Sequence, residues 1–202
     1  MPESEAKPDL GLMLYDGLPD EFEAGLLEGL ASDGLTLRTL RIPGGPFAGV
    51  ELYLSAAAML FIATGYLNGF LQKAGEDHYE LVKQAAAKLW KRASSLQVIR
   101  VGSKGKLSET SFSLAYAIMG EVTGGPRFKF IVRATIEEAE AEAGIRAFLD
   151  LLRDMQSGNL SHDDTQALLT YQPIGGTVLV TFDPHGKRIV PVSAFDSEMS
   201  QP

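Results

Sequence analysis

The chain has 202 residues, 45% of them hydrophobic, enough to bury a sizeable core as one domain or two small ones. A net charge of −8, from 18 basic and 26 acidic side chains, argues against a general nucleic-acid binder. Cysteine is absent, which removes disulfides, thiolate metal ligands and cysteine nucleophiles together.

Residues 1–8 (MPESEAKP) read as a disordered lead-in, and the acidic start carries no apolar secretory h-region, so a bacterial cytoplasmic location is the default. An apolar run over 10–15 closed by Asp16-Gly17 predicts a buried strand. Pro19-Asp20-Glu21 opens a helix whose Phe22, Leu26, Leu27 and Leu30 recur at helical spacing, and Asp33-Gly34 stops it. A second strand over 35–42 ends at Pro43-Gly44-Gly45-Pro46, completing a β-α-β opening with parallel strands.

Residues 52–71 (LYLSAAAMLFIATGYLNGFL) carry no charge over a length that could cross a bilayer as one helix. Their eight Leu, Ile and Phe residues contribute roughly −4 kcal/mol toward insertion, which the polar and Gly positions offset. Burial in a soluble core gains about 1.5–3 kcal/mol for each such side chain, so a long central apolar helix is the expectation. Its small residues Ala58, Gly65 and Gly69 suit close packing, including a homodimer. Residues 76–93 predict an amphipathic helix. Tyr79, Val82, Ala85, Ala86, Leu89, Trp90 and Ala93 fall on one arc, with Lys83, Gln84, Lys88 and Lys91 on the other side.

Three strand candidates follow at 96–101, 112–118 and 128–132, the last alternating with Lys129 and Arg133, and form an antiparallel meander. A second amphipathic helix spans 136–155 and ends at Gly158-Asn159, and Ser161 with Asp164 resembles a cap for a short helix through Thr170. Strands at 177–182 and 188–192 flank the turn Asp183-Pro184-His185-Gly186 as a C-terminal hairpin. The whole is read as one α+β domain over 9–193 with a frayed tail at 194–202.

No motif carries a visible chemistry. His78 packs or caps, His185 sits in a turn, and the His162-Asp163-Asp164 run points three ways from a helix start, so no metal or cofactor is expected. Gly102-Ser103-Lys104-Gly105-Lys106 is Gly-rich and basic, but lacks the spacing of a phosphate loop. Charge is uneven: three basic against nine acidic groups in 1–50, eight against four in 51–106, and seven against thirteen in 107–202. Lys88, Lys91, Arg92, Arg100, Lys104 and Lys106 form an acid-free stretch, the candidate contact for an anionic surface. The alternative to that contact is the chain's own acidic segments.

These features favour a non-enzymatic protein-interaction module, with a partner protein or a second copy and without nucleic acid. One alternative is membrane association through the 52–71 helix and the basic 88–106 segment. The other is a hydrolase with fold-assembled carboxylates, for which Asp16 and Asp183 at strand ends are candidates.

Overall fold

The computed structural model describes residues 8–30, 36–43, 56–72, 76–96, 111–160, 168, 170–171 and 173–193. Among them lie strands β1 (Leu10–Tyr15), β2 (Leu37–Ile42), β3 (Ala58–Ile62), β4 (Phe112–Glu121), β5 (Arg127–Arg133), β6 (Thr177–Asp183) and β7 (Arg188–Pro191). The helices are α1 (Glu21–Leu30), α2 (Thr64–Gln72), α3 (Glu76–Ser94) and α4 (Glu138–Ser157). The result is an α+β architecture on one mixed sheet of order β2-β1-β3-β4-β5-β6-β7.

The β-α-β opening forms as read: β1 and β2 are parallel, Leu10 opposite Leu37, with α1 between them in sequence. β3 then runs antiparallel to β1 and parallel to β4, β5 is antiparallel to β4 and parallel to β6, and β7 closes the sheet antiparallel to β6. The β4–β5 and β6–β7 hairpins match the sequence reading. A three-strand meander does not form among the described residues, because the neighbour of β4 on its other side is β3, paired parallel. Residues 97–101 and most of 161–170 lie outside the described residues, as do 1–7 and 194–202.

All four described helices belong to one face. Leu10, Leu12, Leu14, Leu60, Ile62, Phe128, Phe130 and Val180 point into a core shared with Phe22, Tyr66, Trp90 and Phe148 from the helices. The β1→β2 and β5→β6 crossovers both leave from strands of the same direction but step opposite ways across the sheet. With their helices on the same face they have opposite hands, so one departs from the usual right-handed rule.

The single helix over 52–71 does not exist. Residues 58–62 are β3, near the middle of the sheet, and a helix begins only at Thr64; residues 52–55 lie outside the described residues. Leu60 and Ile62 face the helices while Met59 packs on the opposite side, so the strand is buried on both faces and reads as an unbroken apolar run. Ala58 lies fully buried in that strand, off any helical stripe with Gly65. Among the described residues no helix is long and apolar enough to cross a membrane.

The other sheet face is also apolar. Met59, Ala117, Met119, Ile131 and Leu179 form a second cluster to which no described helix residue belongs. Lys129 stands in register between Met119 and Leu179 and is fully buried, although it alternates with Phe128 and Phe130 in sequence. Burial pushes its ammonium down to about 8.

Candidate interaction cleft

The candidate site is built around α4. Glu138 and Glu140 in its first turn face the positive end of the helix dipole, and its inner stripe buries Ala141, Ile145, Phe148, Leu149 and Leu152. Gly144 sets how close the helix lies: a Cβ there would stand 2.8 Å from the Phe182 Cβ and 3.1 Å from the Phe130 ring. Gly158 ends the helix in the left-handed conformation at φ 70°, and the Asn159 N–H donates to the Asp154 carbonyl at 2.8 Å.

Between the C-terminal half of α4 and β7 opens a cleft of about 430 Å³. Leu151 and Leu168 are buried in its wall, and Ala147, Leu160, Ile189 and Pro191 are half-buried around it. Asp150 and Asp154 line it from the helix, Lys187 from the β6–β7 turn and Arg188 from the start of β7.

The two carboxylates are already engaged. Lys83 of α3 is buried, with its Nζ 2.9 Å from Asp150 Oδ1 and 3.0 Å from Glu80 Oε1, and it lies 4.4 Å from the centre of the Tyr79 ring. Arg153 bridges Asp150 at 3.2 Å and Asp154 at 2.8 Å, with its guanidinium 5.3 Å from the same ring, and Arg146 reaches Glu80 at 3.0 Å. Three cations thus meet three carboxylates, and the network is neutral as a whole. The Lys83 hydrogen bond holds the Glu80 carboxyl below its ordinary value, and burial followed by the Asp150 charge pushes the Tyr79 phenol up. The arrangement is a clamp of ion pairs between α3 and α4.

Lys187 and Arg188 differ: neither makes an ion pair with a described residue within 4.0 Å. Asp183, opposite Arg188 in register, accepts the His185 N–H at 3.1 Å. Lys187 is at φ 50°, the one non-glycine described residue with a positive φ. An L-residue held there costs on the order of 1 kcal/mol, and such outliers collect at functional positions.

The residues singled out from sequence lie elsewhere. Lys88 is exposed on α3, Lys91 pairs with Glu138, and the Arg92 guanidinium donates to the Glu21 carbonyl; Arg100, Lys104 and Lys106 lie outside the described residues. Two of the three described cations of that stretch are therefore bound to the chain itself. Asp16 follows β1 and Asp183 ends β6, at the same end of the sheet but four strands apart, about 19 Å at the usual spacing. Two carboxylates sharing a glycosidic reaction stand within about 10 Å, so the sheet does not assemble this pair. His78 is half-buried on α3, His185 is exposed in its turn, and 162–164 lie outside the described residues. Among the described residues no cluster of His, Asp or Glu has metal-binding geometry.

The sequence reading missed the clamp because it placed Lys83 on the solvent side of α3. A signal was present: Glu80 with Lys83 and Asp150 with Arg153 are both i,i+3 pairs of opposite charge on amphipathic helices. No family model, curated protein or solved structure matches this chain.

Proposed function

We propose that the chain is a non-enzymatic protein-interaction module and that the cleft between α4 and β7 receives a segment of its partner. The observation that carries this reading is the cleft's cationic corner. Lys187 is kept in a conformation that glycine would adopt at lower cost, beside an apolar wall and next to a neutralised clamp. Strain retained at Lys187, which makes no ion pair with a described residue, favours a binding role over a stabilising one. An apolar recess with a few polar groups at its rim is also the usual form of a recognition site.

The test is selection of peptides from a random displayed library on the wild type, with an Ala147→Trp variant used for counter-selection. Ala147 is half-buried on the outer part of α4, so the indole occupies the cleft without entering the core. Clones that bind the wild type and lose binding to Ala147→Trp are expected. Enrichment indifferent to Ala147→Trp, or none at all, refutes the reading.

A further inference from the structure

We infer that the segment this cleft receives is the β6–β7 hairpin of a second copy of the chain. β7 of each copy pairs antiparallel with β7 of the other about a two-fold axis at Ile189, and each copy's Lys187 reaches Asp154 in the other's cleft. The inference rests on the cleft being a docking site and names what docks there.

The edge of β7 carries a pattern that a copy of itself completes. Among the described strands β7 pairs only with β6, and all four of its residues keep exposed surface. The Val192 N–H donates to the Leu179 carbonyl at 3.0 Å, which makes those two a hydrogen-bonded antiparallel pair. By alternation Val190 and Arg188 also turn their backbone groups toward β6, and Ile189 and Pro191 turn theirs outward. Pro191 has no N–H, so Ile189 holds the one outward N–H within β7. A two-fold axis at Ile189 sets that residue opposite its own copy, and the two exchange both N–H···O bonds. Pro191 then falls opposite the second copy's Lys187, which precedes the strand, where no ladder bond is required. Such a pairing closes as a dimer and recruits no further strand at this edge.

Charge selects the same register. Lys187 makes no ion pair with a described residue, and it lines the cleft at the turn end of β7. α4 runs in the direction of β7. A Cβ on Gly144 would meet Phe182, the register partner of Ile189, whereas one on Gly120 would meet Leu152. The row of Gly120 continues through Phe128 and Val178 and passes β7 beyond Pro191. Asp154 therefore stands at the Pro191 end of the cleft. Its Oδ1 is 2.8 Å from Arg153 Nε, its Oδ2 has no partner among the described residues, and the last turn of α4 holds no base. Within one copy Lys187 is separated from that end by the length of β7, about 13 Å. The two-fold brings each Lys187 to the Pro191 end of the other copy, beside that carboxylate and the negative end of the helix dipole. Arg188 takes no part: it lies on the opposite sheet face, next to Asp183 in register. The homodimer expected from the small residues of 52–71 is thereby assigned to the edge of the sheet instead.

The experiment measures the mass of the full chain by sedimentation from low to high micromolar concentration. The wild type should dimerise over that range. Lys187→Glu and Asp154→Lys should each weaken the dimer about a hundredfold, about tenfold for each of its two equivalent contacts. Mixed in equal amounts, the two variants should associate as the wild type does, because in the mixed pair each contact again joins one acid to one base. Exchange of the Ile189 amide should slow with concentration in the wild type and in the mixture, but in neither variant alone. A wild type that stays monomeric, a dimer that either variant leaves intact, or a mixture that associates no better than its components overturns the proposal. If the displayed library still returns peptides that Ala147→Trp excludes, the docking reading survives that failure; if it returns none, both fall.

Discussion

Replacing Lys129 with methionine should change the pH dependence of stability more than any other single substitution in the sheet. Lys129 is fully buried between Met119 and Leu179, and burial lowers its ammonium from about 10.5 to about 8. The folded state therefore binds this proton less readily than the unfolded chain. Below pH 8 the lysine is charged in both states and the full burial penalty is present. Between pH 8 and 10.5 the unfolded state holds more protons, so stability rises with pH. The gap corresponds to about 3 kcal/mol at 1.36 kcal/mol per pH unit. Lys129→Met has no such group, and its nearly equal volume keeps the apolar cluster filled. Urea unfolding of both proteins from pH 7 to 10.5 should show the stability difference, Lys129→Met minus wild type, falling by about 3 kcal/mol across that range. Taking the difference removes the titration of all other groups. Parallel curves for the two proteins would refute a desolvated lysine at this position.

Three further outcomes follow from the same geometry. Gly144→Ala should destabilise by about 1 kcal/mol or more in urea despite alanine's better helix propensity, because its Cβ meets the Phe182 Cβ at 2.8 Å and that atom has little room to move. Lys187→Gly should raise the thermal midpoint, gaining about 1 kcal/mol by releasing the positive φ. Glu80 is held below its ordinary value of 4.5 chiefly by Lys83, so the stability it contributes is present above pH 4.5 and is lost as pH falls through its folded value. Glu80→Gln should lack that part of the acid-side decline, seen as a shallower loss between neutral and acid pH.

Much of the fold was legible from the chain. The alternation of β1 places Leu10, Leu12 and Leu14 inward, the turn at Asp183 marks the β6–β7 hairpin, and the α3 and α4 stripes match their buried faces. Residues 58–62 were not legible as a strand because burial on both faces removes the period of two, and the apolar start of α2 extends the run. Lys83 misled because its charge placed it on the polar side of α3, whereas it is buried and compensated by Glu80 and Asp150; the alternation around Lys129 likewise gave no sign of a second apolar layer. The hand of each crossover depends on which face every helix takes, which periodicity does not encode. The cleft itself left only a trace in sequence. Turn chemistry marks the hairpin, but not that Lys187, rather than Gly186 before it, adopts the left-handed conformation.

The central claim, that the α4–β7 cleft docks a partner segment, is tested most directly by calorimetric titration of a library-selected peptide into three proteins. These are the wild type, Ala147→Trp in the cleft, and Leu40→Ser on the opposite edge strand, where Leu40 is 58% exposed. The account requires binding to the wild type and to Leu40→Ser with equal affinity, and loss of binding to Ala147→Trp. Retained binding to Ala147→Trp, or loss in Leu40→Ser, would contradict it.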